Sequence, residues 1–94
     1  MAHVKWSNDA LSDLDAISEY ISQDSPVNAK KFVQEIFQKV EDLSKFPHMG
    51  RVVPDQDNEH LREILHGYYR IIYEVKNGNV EILIVIHGSR MLRL

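Results

Sequence analysis

Residues 66–90, HGYYRIIYEVKNGNVEILIVIHGSR, decide how this chain folds. Asn77-Gly78 is the strongest short hairpin signal a sequence carries, because a two-residue type I′ turn needs positive φ at both central positions. The flanking runs are rich in β-branched and aromatic residues, so two strands are expected to pair across it, about 69–75 and 80–87. That register puts Tyr73 opposite Ile82, Arg70 opposite Val85 and Tyr68 opposite His87. Alternation along a strand then sorts the side chains into two faces. One face carries Tyr69, Ile71, Tyr73 and Val75 with Val80, Ile82, Ile84 and Ile86, an apolar bed. The other carries Tyr68, Arg70, Ile72 and Glu74 with Glu81, Leu83, Val85 and His87. Arg70 and His87 are thus expected on one face as diagonal neighbours. Glu74 opposite Glu81 is the one unfavourable pair.

A turn at His66-Gly67 adds a third strand, about 61–65, and places Glu63 opposite Arg70 on the polar face. Upstream, residues 3–6 read as a short strand ending at Trp6. Ser7 is placed to cap a helix with Asp9 in its first turn, and Ala10, Leu14, Ile17 and Ile21 follow at helical spacing. Ser25 and Pro26 start a second helix. Its apolar residues recur at steps of three and four from Ala29 to Phe46, a length of about 31 Å from Pro26. Phe32, Phe37 and Phe46 are expected in the core. Pro47 and Gly50 stop this helix, and 52–60, VVPDQDNEH, reads as a loop. The fold class is α+β: an N-terminal strand and an antiparallel helical hairpin packed on a small, mainly antiparallel sheet, one domain over residues 1–94.

Composition narrows the function. The 94 residues are 44% hydrophobic and 27% charged, as in a soluble globular protein, and a single core is within reach. There is no cysteine, which excludes disulfides and thiolate chemistry. His3, His48, His60 and His66 lack ligand-like spacing, so no metal site is expected. No apolar run approaches a membrane span, and the first residues do not resemble a signal peptide, so a cytoplasmic protein is expected. The formal net charge of −3 does not suit a broad nucleic-acid footprint. All five arginines, Arg51, Arg62, Arg70, Arg90 and Arg93, lie after residue 50, whereas five of the six lysines precede it. Arginine is the bidentate recognition residue, so the C-terminal half is the place to look for a binding surface.

Trp6 before a first helix, FPHMGR at 46–51, LREILHGYYRIIYEV at 61–75 and VEILIVIHGSR at 80–90 together resemble the RelE/ParE superfamily of toxins from bacterial type II toxin–antitoxin pairs. The likeness runs along nearly the whole chain and implies the same helical hairpin on a sheet. It also implies growth arrest, a place in plasmid stabilisation, and a cognate antitoxin as partner. ParE-like members poison DNA gyrase and are inhibitors rather than enzymes. RelE-like members are metal-independent endoribonucleases that cut messenger RNA on the ribosome. Neither kind calls for a cofactor.

By that resemblance Arg70, in YR, and Arg90, ending HGSR, match two family arginines. Glu63 and Leu61 stand where a RelE-type enzyme has lysines, and no tyrosine follows Arg90. Metal-free RNA cleavage needs an acid, a base and cations for the phosphorane, so the cation supply is thin. Gyrase inhibition is therefore the expected function, with ribosome-dependent cleavage by His87, Arg70 and Arg90 as the alternative. The expected functional surface is Arg70, His87, Arg90, Tyr68, Glu63 and Arg51. Structural roles compete at each: Arg70 pairing with Glu63, His87 hydrogen-bonded at a strand end, Arg51 bonding helix-end carbonyls, Arg90 and Arg93 as solvated tail. A module that binds a peptide by strand addition is the rival from another class, and it would be tolerated when expressed alone.

Overall fold

The structure, a computed structural model, describes residues 1–92. Arg93, read as solvated tail, lies outside the described residues. In chain order the elements are β1 (Val4–Trp6), α1 (Asn8–Ser22), α2 (Pro26–Asp42), β2 (Arg51–Val52), β3 (Leu61–His66), β4 (Tyr69–Lys76) and β5 (Asn79–His87). The five strands form one sheet in the order β1-β5-β4-β3-β2, parallel only between β1 and β5. No helix among the described residues is long and apolar enough to cross a membrane.

Both helices begin where the caps predict. Ser7 Oγ accepts the Ala10 N–H at 2.9 Å, and Ser25 Oγ accepts the Asn28 N–H at 3.1 Å. The second helix ends four residues earlier than its apolar stripe suggests. From Leu43 to Lys45 the amides bond three residues back, to Val40, Glu41 and Asp42, so the chain tightens into turns. Pro47 disfavours helical backbone at Phe46 and explains the early stop. Phe46, beyond the helix end, is 64% exposed, and Phe37, within the helix, is 44% exposed, so neither is a core residue. Phe37 instead packs on Trp6 at 5.0 Å between ring centroids. The core between helices and sheet is built on Ala10, Leu14, Ile36, Val40, Ile71 and Ile82.

The Asn77-Gly78 turn forms as read, with φ of 53° and 77°. The β4–β5 register also holds at this end, with Tyr73 opposite Ile82 and Glu74 opposite Glu81. Lys5 of β1 lies alongside Glu81 and offsets that like-charge pair. Beyond Ile72 the register slips by one: Ile72 faces Ile84, Arg70 faces Ile86 and Tyr69 faces His87. This β-bulge moves Val85 and His87 to the helix side and Ile84 and Ile86 to the far side. Ser7 accommodates it, because its N–H donates to the Ile82 carbonyl and its hydroxyl to the Leu83 carbonyl, both at 2.9 Å. The far face then has its own apolar cluster of Val53, Leu61, Ile72 and Leu92, flanked by Leu83, Ile84 and Ile86.

The β3–β4 turn also differs. Its central residues are Gly67 and Tyr68, with His66 opposite Tyr69, so Glu63 faces Ile72 and sits diagonal to Arg70. Arg51, expected to bond helix-end carbonyls, and Val52, read as loop, form the edge strand β2 against β3. Gly50 allows this approach: a Cβ there would come within 2.6 Å of both the Glu63 carbonyl oxygen and the Tyr73 hydroxyl. Buried Tyr73 donates its hydroxyl to the Pro47 carbonyl and accepts the Gly50 N–H, each at 2.9 Å. Burial raises its pKa, which keeps the phenol protonated. Gly50→Ala should therefore cost about 2 kcal/mol in denaturant unfolding. Gly67→Ala, strained by φ of 56° but facing open space, should cost about 1 kcal/mol. Equal losses in the two variants would contradict this packing.

Candidate functional site

Arg70 leaves β4 on the far face and is 7% exposed, beside Glu63 at 1%. A guanidinium this buried is tolerated only when its donors are met by charge. Arg70 Nε donates to Glu63 Oε2 at 2.8 Å and Nη2 to Glu63 Oε1 at 3.3 Å. On its other side Nη2 donates to Asp55 Oδ1 at 2.7 Å and Nη1 to Asp55 Oδ2 at 3.2 Å. Two forked pairs thus grip one planar cation, a geometry lysine cannot supply. The carboxylates raise the Arg70 pKa further above its ordinary value. Arg51 Nε lies 3.4 Å from Glu63 Oε1 and adds an exposed cation at the edge.

Asp55 also holds the end of the chain. Its Oδ2 accepts the Leu92 N–H at 3.1 Å, while Gln56 Nε2 donates to the Leu92 carbonyl at 3.2 Å. Two consecutive side chains therefore satisfy both backbone groups of Leu92, whose own side chain is buried in the far-face cluster. Hydrogen bonds from Arg70 first, and from Leu92 second, lower the Asp55 pKa to about 2.

The second group of residues lies at the end of β5. Here β1 has stopped opposite Ile82, so among the described residues the outer edge of β5 beyond Leu83 has no neighbouring strand. Asp13 of α1 partly caps it by accepting the Val85 N–H at 3.0 Å. Burial raises the Asp13 pKa, and that bond opposes the rise. A groove of about 630 Å³ opens between α1 and this edge, lined by Asp13, Tyr20, Tyr69, His87, Ser89 and Arg90 among others. His87 Nδ1 accepts the Ser89 N–H at 3.1 Å, with Ser89 Oγ 2.7 Å away. The neutral ring therefore carries its proton on Nε2. Tyr68, 81% exposed in the turn, stacks on His87 with centroids 6.2 Å apart and planes 13° apart. Tyr69 meets the same ring edge-on at 5.4 Å.

The six residues expected as one surface thus divide in two. Arg51, Glu63 and Arg70 form an ionic network on the far face, whereas Tyr68, His87 and Arg90 gather at the end of β5. Arg70 and His87 do not share a face, because the bulge turns His87 toward the helices. Arg62, opposite Tyr73 on the helix side, bonds the Gly50 carbonyl at 2.8 Å. The two halves touch at one point, where Arg70 Nη1 approaches the Arg90 carbonyl at 3.5 Å. Asp13, Asp55, Gln56 and Leu92 were missed. Only the paired valines Val52-Val53 before a proline signalled that part of the loop is buried.

A family profile described as "ParE toxin of type II toxin-antitoxin system, parDE" matches residues 4–92. The toxin RelE2 of Caulobacter vibrioides is 35% identical over 92 residues, covering 97% of this chain and all of that one. Among solved structures, a chromosomal ParDE system from P. aeruginosa superposes with a TM-score of 0.77. It is 27% identical and covers 95% of this chain and 98% of that one. The toxin–antitoxin complex RelBE2 of Mycobacterium tuberculosis gives a TM-score of 0.61 at 24% identity, covering 92% and 96%, and shares the fold.

The ionic clasp makes a pH prediction. Because the folded pKa of Asp55 is depressed from 3.8 to about 2, its contribution is complete above the unfolded value and is lost as pH falls through about 2. Thermal unfolding of the wild type should therefore weaken across this acid range more steeply than that of Asp55→Asn. Identical acid profiles would contradict the clasp.

Proposed function

This chain belongs to the ParE toxin family of type II toxin–antitoxin systems, and from that premise we propose that it arrests growth by poisoning DNA gyrase in the cytoplasm. The observation that carries this reading is the saturation of Arg70. An RNA-cleaving site must present free cations to the developing phosphorane charge. Here the sheet's central guanidinium has carboxylates at 2.7 and 2.8 Å on its two sides. The same face adds Glu74 and Glu81 and the apolar Leu83, Ile84 and Ile86, a composition suited to a protein partner rather than to a phosphate backbone.

A cognate antitoxin is the second partner in this reading. The groove between α1 and β5 has the features an extended segment uses: an unpaired strand edge, apolar walls, and Arg90 at its mouth. An antitoxin lying there would cover Tyr68, His87 and Arg90 together.

Purified protein, gyrase, supercoiled plasmid and ATP, stopped with detergent and protease, should accumulate linear plasmid, the product of trapped cleavage complexes. Added antitoxin should abolish it. Undisturbed supercoiling would overturn the gyrase reading and favour messenger RNA on the ribosome, with cuts that vanish when His87 or Arg90 is replaced.

A further inference from the structure

We infer that Asp55 and Gln56 form a clip that positions Arg90, so that a loop outside the groove sets how the toxin presents its working arginine. The inference rests on the reading that Arg90 belongs to the functional surface, whichever target that surface meets.

The path of the chain after β5 carries the argument. Gly88 N–H donates to the Tyr68 carbonyl at 2.6 Å, which fixes the segment where it leaves the sheet. A Cβ on Gly88 would lie 3.1 Å from that carbonyl oxygen, so glycine permits the close approach. Arg90 N–H then bonds the His87 carbonyl at 3.0 Å, closing a turn. Two residues later the chain is held again, by Asp55 on the Leu92 N–H and Gln56 on the Leu92 carbonyl. Arg90 is therefore bracketed, by a turn before it and the clip after it. Without the clip, the backbone of Leu92 would lose both its polar partners, leaving its apolar side chain, the turn and the long contact from Arg70 to restrain Arg90.

Burial of Leu92 explains why the clip needs polar atoms. Its side chain is 3% exposed among Val53, Leu61 and Ile72, so its backbone is drawn against the sheet where water is scarce. Asp55 and Gln56 replace the missing strand partner. Arg70 acts one step further out: it holds Asp55 in place from both Nη atoms, which fixes the clip to β4. Asp55 and Gln56 are positioning residues here, since neither lies in the groove.

The test is a double-mutant cycle read as growth arrest. The full chain is expressed alone, and the toxin level that halves the growth rate is measured by quantitative blotting. Arg90→Ala and Asp55→Ala should each raise that level about tenfold, and the double variant should be no worse than Arg90→Ala alone, as coupled sites require. Asp55→Asn, which keeps an oxygen for the Leu92 N–H, should recover most of the activity lost in Asp55→Ala. Gln56→Ala should shift the level in the same direction by a smaller factor. Because Glu63 still pairs with Arg70 in these variants, Gln56→Ala and Asp55→Ala should unfold cooperatively, with faster hydrogen exchange at the Leu92 amide. Additive effects of Asp55→Ala and Arg90→Ala would overturn the proposal while leaving Arg90 functional. Full toxicity of Arg90→Ala would overturn it by removing Arg90 from the functional surface.

Discussion

A guanidinium lies almost out of reach of water between two carboxylates, Glu63 from the neighbouring strand and Asp55 from a loop. Desolvating those charges is costly, and only the forked hydrogen bonds offset it. Geometry follows from that requirement. Glu63 must sit diagonal to Arg70 across β3 and β4, and the loop from Val53 to His60 must fold back over the far face. Asp55, once drawn in, has an oxygen left for Leu92. The second apolar cluster, the folded-back loop and the docked end of the chain all depend on Arg70 remaining paired. Removing Arg70 strands the buried Glu63 carboxylate, with only the exposed Arg51 beside it.

Much of this fold was legible because local and long-range preferences agree. Ser7, Ser25-Pro26 and Asn77-Gly78 each act through a backbone constraint spanning a few residues, and each sits where the sequence puts it. The β4–β5 pairing was legible only near its turn. ILIVI at 82–86 is apolar throughout, so a one-residue slip exposes nothing: Val85 enters the first core while Ile84 and Ile86 enter the second. Alternation cannot locate a bulge in such a run. The end of α2 was misplaced for a related reason, since Leu43 and Phe46 continue the helical spacing although Pro47 forbids its last turn.

The site was less legible than the fold. Arg70 and Glu63 were paired correctly in kind, but Asp55 sits in a polar loop whose composition gives no hint that one carboxylate turns inward. Its partner Leu92 is 37 residues away, and nothing local connects them. Misplacing His87 by one register step merged two different groups of residues into one expected surface. Their separation changes the chemistry: the ionic half is internally neutralised and structural, whereas the half at the end of β5 presents Tyr68, His87 and Arg90 beside an open strand edge.

The most direct test of the structural role of Arg70 is to remove its charge without stranding the buried Glu63. Arg70→Met alone should lose about 3 kcal/mol in denaturant unfolding, because Glu63 is left buried with only the exposed Arg51 at 3.4 Å to meet its charge. Arg70→Met combined with Glu63→Met should recover most of that stability, because no buried carboxylate is then left without its partner. A double variant no more stable than Arg70→Met alone would contradict the account, since the burial of Glu63 would then not depend on the charge of Arg70.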